Sequence, residues 1–281
     1  MGRARVLALT ALAILAFAGN SLLTRFGLIE THIEAAQFAA IRLMSGALML
    51  TALAWQREAG VQPTRTDLVG ILSLFAYAVT FTIACLSLNA ATGTLILFGA
   101  VQITLATSSA LRGAPPKGKA LFGLIIAFAG LIWMLLPQAV SPPLGAAMLM
   151  ASAGMAWGVY TIAGRVSGDP IARTARNFIG AGALAAVWLA LSSSSAPPMQ
   201  GVILAMASGT ITSALGYTIW YSALPHLSVA TAGAAQLFVP VVAAVGAALW
   251  LHERISTEVT IAGVVILGGI AMTLGKRRGA S

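Results

Sequence analysis

The stretch "LAFAGNSLLTR", residues 15–25, places an amide and a serine inside an apolar run and ends on an arginine. The stretch "MAWGVYTIAGR", residues 155–165, has the same length, an aromatic residue in place of Phe17, and the same final arginine. An amide without a hydrogen-bond partner is costly to bury in an apolar environment. Asn20 and Ser21 therefore predict a helix face that meets protein or water instead of lipid.

The composition indicates an integral membrane protein. Of the 281 residues, 59% are apolar and only 8% are charged, whereas about a quarter of the residues of a typical soluble domain are charged. So few charges cannot cover a water-facing surface, so the lipid bilayer is the expected environment. The net charge of +9 comes from short loops and the termini, so we attribute it to membrane topology and expect no nucleic-acid partner.

Ten apolar segments approach the length of about 20 residues that crosses a bilayer. Turn-rich sequences separate most of them, and "GDP" at 168–170 places Asp169 and Pro170 where helix starts favour them. The weakest break is a tight turn at Asn89. The predicted spans are roughly 5–25, 34–55, 67–88, 91–110, 119–137, 143–165, 171–192, 199–222, 228–250 and 257–275.

The basic residues predict the topology. With the N-terminus inside, 13 of the 16 lysines and arginines fall at inner ends, which follows the positive-inside rule. We therefore expect a multi-pass protein of the bacterial inner membrane with both termini cytoplasmic. The outer half keeps Arg25, Arg42 and Arg254. The inner ends have Arg3, Arg5, Arg57, Arg65, Arg112, Lys117, Lys119, Arg165, Arg173, Arg176, Lys276, Arg277 and Arg278.

The sequence also matches itself at a constant offset of 140 residues. The informative matches pair Phe17 with Trp157, Tyr77 with Tyr217, Phe81 with Tyr221, Phe38 with Phe178, Ser73 with Ser213, and Arg25 with Arg165. Five spans in each half, 1–140 and 141–281, make the second half enter the membrane upside down. The predicted fold is therefore all-α, with ten transmembrane helices in two inverted five-helix repeats that form one transport domain. Such repeats are typical of secondary transporters, whose substrate site lies between them near the midplane.

These features resemble the EamA family of the drug/metabolite transporter superfamily. The resemblance rests on the ten spans, the duplication, "AWG" at 156–158 and "LFVPVVAAVGAALWLHERIS" at 237–256, and it extends over essentially the whole chain. It implies a transporter that works by alternating access. Within the family, the size and residue pattern are similar to bacterial amino-acid exporters, those for aromatic amino acids in particular. The first half departs from the pattern, with "AFAGN" where the family usually has a Trp-Gly pair.

Polar side chains within the spans are the first candidates for substrate binding. Arg42 is the deepest charge, about eight residues or roughly 12 Å into the second span. It either extends to the outer interface or binds a substrate carboxylate. The amides Asn20, Gln37, Gln102, Asn177 and Gln236 either join helices by hydrogen bonds or face a cavity. Asn20 and Gln102 are the best cavity candidates, and Gln236 lies on the span equivalent to that of Gln102.

Aromatic side chains complete the predicted substrate site. Trp220 and Tyr221, near a span end, also fit anchors at the membrane interface. A cavity with aromatic walls and a few amides suits a small amphipathic substrate, such as an amino acid, and also a lipophilic cation. A nucleotide sugar remains an alternative within the superfamily. The aromatic candidates are Phe17, Tyr77, Phe81, Phe98, Trp157, Tyr160 and Tyr217.

Other functions lack the groups that they require. All seven carboxylates and all three histidines fall in loops or at span ends, so no intramembrane nucleophile–base pair or metal-ligand cluster is expected. We therefore predict a protein that is not an enzyme and needs no cofactor. A scaffold protein would not need inverted symmetry around a polar centre. Proton relays within membranes use Asp, Glu or His, so facilitated diffusion, or coupling near an interface, is expected. Ten spans suffice for a monomer.

Overall fold

Lipid offers no hydrogen bonds to the backbone, so the apolar segments fold as helices that satisfy their own amides. The computed structural model describes residues 1–57, 60, 65–113, 115, 117–135, 142–164, 169–192, 195–227, 235–236 and 238–273. Within these ranges the regular structure is entirely helical. The predicted all-α class is confirmed to that extent.

The described residues include ten longer helical segments, besides a 3₁₀ turn at Arg65–Asp67 and the helical residues 235–236. The first five are α1 (Arg3–Glu30), α2 (Ala35–Trp55), α3 (Leu68–Ala84), α4 (Ala90–Leu111) and α5 (Lys119–Leu135). The second five are α6 (Leu144–Ala163), α7 (Pro170–Ser192), α8 (Met199–His226), α9 (Phe238–Trp250) and α10 (Thr257–Thr273). Six of them, α1, α2, α4, α6, α7 and α8, are long and apolar enough to cross a membrane, and the other four are shorter apolar helices.

Local sequence signals mark several helix starts as expected. Asn89 caps α4, where its side-chain oxygen accepts a hydrogen bond of 2.9 Å from the Thr92 amide. The carboxylate of Asp169 accepts a hydrogen bond of 2.7 Å from the Ile171 amide at the start of α7. Both predicted breaks are therefore confirmed. The first span is longer than predicted, because α1 continues five residues past Arg25.

Helix α8 is irregular at its centre. Its first part, Met199–Ala207, is α-helical, Ser208–Leu215 is a π-helix, and Gly216–Ala223 is α-helical again before a 3₁₀ turn to His226. A π segment widens the helix and changes where its side chains point, and such segments often occur at functional sites. In this protein it faces α1 and α2.

The two halves of the chain interleave instead of forming separate bundles. Helix α1 packs mainly against α8 and α9 of the second half, and α6 packs against α3 and α4 of the first. Helix α2 packs along α7, and α5 packs along α10. Most of the described core is therefore shared between residues 1–140 and 141–281.

Contacts at the helix ends define two faces of the bundle. At the Glu253 face, the end of α1 meets the α3–α4 turn and Glu253, and the start of α2 meets Ser195. At the Asp67 face, the start of α3 meets α7 at Arg176, and Gly164 after α6 meets Tyr221 near the end of α8. Helix α1 therefore runs toward the Glu253 face and α6 runs away from it.

Glycine permits a close contact between α4 and α6 in the shared core. A Cβ atom on Gly154 of α6 would lie 2.3 Å from the carbonyl oxygen of Leu97 and 2.7 Å from Cβ of Ala100, both on α4. Gly145, in the first turn of α6, has nothing within 4 Å of the same position. The α4–α6 approach therefore depends on Gly154, as expected for small residues at membrane-helix contacts.

We predict that Gly154→Ala destabilises the protein by about 1–3 kcal/mol, the usual cost of overpacking a core. The matched control Gly145→Ala adds the same methyl group to the same helix in open space. Thermal unfolding in detergent should show a lower melting temperature for Gly154→Ala only. Equal melting temperatures for both variants would contradict the close α4–α6 contact.

Candidate functional site

Aromatic side chains from both halves meet at the centre of the bundle. Trp157 of α6 lies between Tyr77 of α3 and Tyr217 of α8, with ring centroids 5.1 and 4.9 Å apart. Phe17 of α1 contacts Trp157 and Tyr217 edge to face, each at 5.9 Å. Tyr160 packs against Trp157 at 5.5 Å. Five of the seven aromatic candidates thus lie in one cluster, which we call the central aromatic cluster.

Phe81 and Phe98 lie at the edges of this cluster. Phe81 stacks on Tyr77 with centroids 5.3 Å apart, one helical turn further along α3. Phe98 projects from α4 into the cavity that the cluster surrounds. All seven aromatic candidates are buried.

Asn20 joins three helices at the centre. Its amide nitrogen donates to the hydroxyl of Tyr77 at 3.2 Å, and its oxygen accepts from the hydroxyl of Ser208 at 2.8 Å. The amide therefore links α1 to α3 and to the π segment of α8. It also lines the central cavity, so its two predicted roles, joining helices and facing a cavity, occur together.

Arg42 does not extend to the interface, and that interpretation is wrong. Its side chain is fully buried, with Nε 3.3 Å from the Ser213 hydroxyl oxygen. The guanidinium carbon lies 5.3 Å from the ring centre of Tyr77 and 5.6 Å from that of Phe81. Extension fails because α2 is enclosed by α7 and α8 at this depth. Nη1 and Nη2 donate no hydrogen bond to any described residue.

The remaining amides have different environments. Gln102 of α4 and Gln236 are buried, and each keeps one polar atom without a hydrogen bond to a described residue, Nε2 and Oε1 respectively. Asn177 of α7 packs against Gly70 of α3. Gln37 lies in the first turn of α2, where its Nε2 donates to the Ser195 carbonyl at 2.8 Å. Gln37 therefore connects two helix ends instead of lining the centre.

The central cavity is small. Its volume is about 20 Å³, which is room for a water molecule, whereas ligand pockets usually measure about 300–1,000 Å³. The protein is therefore closed around its centre in this structure, and a substrate requires the helices to separate. Six of the predicted site residues line the cavity together with Ser21 and Leu97: Phe17, Asn20, Tyr77, Phe98, Trp157 and Tyr217.

Several residues of the site were not among the predicted substrate-site residues. Ser208 and Ser213 lie on the π segment and hold Asn20 and Arg42. Ser21 and Leu97 line the cavity, and Trp220 packs on Phe17 at 5.7 Å. The interface role suggested for Trp220 and Tyr221 is wrong, because both rings are buried. The serines in "SGTITS" at 208–213 are the one sequence signal for this part of the site.

Arg25 holds three helix ends together at the Glu253 face. Its Nε pairs with Glu253 at 3.0 Å, and its Nη1 donates to the carbonyls of Cys85 and Leu86. The other Glu253 oxygen accepts from the Ala90 amide at the start of α4 at 2.9 Å, where the helix dipole favours a negative charge. Arg25 is thus more than a topological charge, because it binds α1, the α3–α4 turn and the end of α9 together.

A second ion pair joins the halves at the Asp67 face. Arg176 of α7 donates to Asp67, before α3, at 2.8 Å, and Asp67 is buried. Within the part of the chain that the structure describes, each face thus has an ion pair between a residue of the first half and a residue of the second. Among the described residues, no group of three or more His, Cys, Asp or Glu side chains is arranged to bind a metal ion.

A bundle of apolar helices with a buried polar and aromatic centre defines a multi-pass membrane protein. Residues 144–275 match the EamA-like transporter family. An uncharacterized protein of Pseudomonas aeruginosa is 48% identical over 276 residues, 98% of this chain and 96% of the relative. The chain therefore belongs to the EamA-like transporter family, whose members are transporters and not enzymes.

More distant relatives agree with this assignment. An uncharacterized transporter of Archaeoglobus fulgidus is 24% identical over 284 residues, which span 96% of this chain and 97% of the relative. A crystal structure of a protein 19% identical in sequence superposes with a TM-score of 0.69, over 97% of this chain and 98% of the other. That likeness concerns the fold.

We predict that Arg25 and Glu253 are energetically coupled. Arg25→Gln and Glu253→Gln each remove the charge-assisted hydrogen bond between them, which is typically worth about 1.5–3 kcal/mol. Each variant should therefore unfold at a lower temperature in detergent. The double variant should lose less stability than the sum of the two single losses. Strictly additive losses would contradict the coupling.

Proposed function

We propose that this protein is a secondary transporter that exports small amphipathic metabolites by alternating access. The proposed preferred substrates are aromatic and neutral amino acids. The observation that carries the proposal is the central aromatic cluster, with Asn20 and Arg42 beside it, at the junction of the two halves. Apolar walls with a few polar groups suit a substrate that has an apolar side chain and a polar head.

The pattern of helix packing supports inverted repeats. If α1–α5 correspond to α6–α10, the contact of α3 with α6 corresponds to that of α8 with α1. In the same way, the contact of α4 with α6 corresponds to the contact of α9 with α1. The contact of α3 with α7 corresponds to the contact of α8 with α2. Helices α1 and α6 run in opposite directions, as inversion requires. We therefore assign residues 1–140 and 141–281 to two inverted repeats whose ten helices all cross the membrane.

The closed centre and the two ion pairs support alternating access. The Arg25–Glu253 and Asp67–Arg176 pairs each join the two halves at one face. Opening the Glu253 face would separate the first pair and keep the second, and opening the Asp67 face would do the reverse. Exchange of conformations between inverted repeats is how such folds alternate.

The distribution of charge supports the orientation. The described basic residues concentrate at the Asp67 face, which we assign to the cytoplasm of a bacterial inner membrane by the positive-inside rule. Both ends of the chain then lie on the cytoplasmic side. The interleaved helices enclose the site within one chain, so the protein functions as a monomer.

The alternative of a lipophilic-cation carrier is less favourable. The guanidinium of Arg42 lies against two of the rings that would attract a cation, so a cationic substrate would meet a buried positive charge. A nucleotide sugar is the other alternative. Neither has a specific observation in its favour.

The direct test is a transport assay with purified protein in liposomes and a panel of labelled amino acids. We predict uptake of aromatic and neutral members. The rate should not depend on a pH gradient, because every described Asp, Glu and His lies at a helix end or in a connection. Protein-free liposomes are the control. Failure across the whole panel would remove the proposal, and strict dependence on a proton gradient would remove its mechanism.

We also predict that Trp157→Ala and Tyr77→Ala reduce transport at least tenfold relative to folded yield, because both rings line the site. Trp250→Ala is the matched control, since Trp250 on α9 is 71% exposed toward the surroundings of the bundle. It should leave transport per folded molecule unchanged. Parallel losses of transport and folded yield for Trp157→Ala and Tyr77→Ala would mean that these rings serve packing only.

A further inference from the structure

We propose that the site recognises a single carboxylate on an aromatic or apolar body, and that an α-amino group is not required. This inference rests on the proposed function and names the substrate class of the same site. It predicts that aromatic monocarboxylates bind as well as the corresponding amino acids. Amines that lack the carboxylate should bind poorly.

The first argument is that the buried guanidinium of Arg42 lacks an ionic partner. A buried charge is costly unless it is paired and hydrogen-bonded. The Arg42 guanidinium donates from Nε to Ser213, and the hydroxyls of Tyr77 and Tyr217 interact with it electrostatically, but it has no ion pair with a described residue. The faces of Tyr77 and Phe81 attract it. Cation–π contacts leave the donors Nη1 and Nη2 unused. Arginine donors have the geometry that binds a carboxylate through two parallel hydrogen bonds.

The second argument is the position of Arg42 next to the cavity. Tyr77, whose ring lies under the guanidinium, is itself a wall of the cavity and holds Asn20 by a hydrogen bond. A substrate ring that displaces Tyr77 on entering the cluster would bring its carboxylate to Arg42. The rings of Trp157, Phe17 and Phe98 would then surround the apolar body.

The third argument is that no described carboxylate lies at the site to pair with an ammonium group. Every Asp and Glu of the described chain lies at a helix end or in a connection, and Glu253 and Asp67 are already paired with arginines. The oxygen of Asn20 accepts from Ser208. The described site therefore has one positive charge and no negative charge, which balances a monoanion. A dianion would bring a second charge without a partner.

The differences between the repeats also explain why a cationic side chain lies on only one side of the site. The residue 140 positions after Arg42 is Gly182, so the cluster has a single cationic side chain although its aromatic rings come in related pairs. A substrate with one acidic end would therefore bind in one orientation, with the acid toward α2 and α8. A site with two arginines would suit a dicarboxylate instead.

Binding to the purified protein in detergent tests this inference without requiring transport. The probes are 3-phenylpropionate, L-phenylalanine, L-phenylalanine methyl ester and phenethylamine, measured by calorimetry and by quenching of tryptophan fluorescence. We expect the two compounds with a free carboxylate to bind with similar affinity. The ester and the amine should bind at least about tenfold more weakly. Equal affinities across the series, tighter binding of the amine, or no binding of 3-phenylpropionate would overturn the inference.

Variants locate the effect at Arg42. Arg42→Gln should weaken binding of 3-phenylpropionate at least about tenfold and leave phenethylamine unchanged or improved, and Arg42→Lys should restore only part of the difference. Arg254→Gln removes an exposed arginine at the Glu253 face and should leave the series unchanged. If Arg42→Gln does not fold, the ligand series on the unsubstituted protein decides alone. Carboxylate binding without transport in liposomes would refute the proposed function and keep the inference.

Discussion

The structure depends on a guanidinium held in the middle of a membrane protein. Arg42 lies against Tyr77 and Phe81, and its Nε reaches Ser213 of α8. A charge at this depth is stable only where protein groups replace water around it. The aromatic rings of α3 and the π segment of α8 supply those groups. The contacts that pack α2 against these two helices therefore also stabilise the charge at the centre. Gly209 of the π segment would place a Cβ atom 2.2 Å from the carbonyl oxygen of Arg42, which shows how closely the two backbones approach.

The proposed repeat is symmetric in its helices and asymmetric in its chemistry. The rings of Phe17 and Trp157 contact each other, and each contacts the tyrosine from the other half, Tyr217 and Tyr77 respectively. The polar positions differ, because Tyr160 stands where the first half has Asn20. Related helices can therefore exchange conformations, while the polar groups that would bind a substrate stay on one side of the centre. In the proposed mechanism, the duplicated helices permit the exchange of conformations, and the residues that differ between the halves recognise the substrate.

The sequence predicted the parts of the site that depend on residue type. An amide, a serine and aromatic side chains at a constant offset inside apolar spans were enough to identify Phe17, Asn20, Tyr77 and Trp157, which line one cavity. The helix starts at Asn89 and Asp169 were predictable because their caps are local. The environment of Arg42 was not predictable from the sequence. Its position along the span indicates how deep it lies in the membrane, but not which helices surround it. Nothing in the sequence marks the i to i+5 bonding of the π segment. The Arg25–Glu253 pair joins residues 228 positions apart.

The central claim is that both faces of the membrane reach the same site in turn. A single cysteine at the cavity wall tests it most directly, with Ser21→Cys placed in a Cys85→Ala background that removes the one native cysteine. A membrane-impermeant maleimide is added to one face at a time in oriented membranes. Alternation predicts slow labelling of Ser21→Cys from each face, because the closed centre must open first on either side. Labelling from one face only, or from neither, would contradict the account.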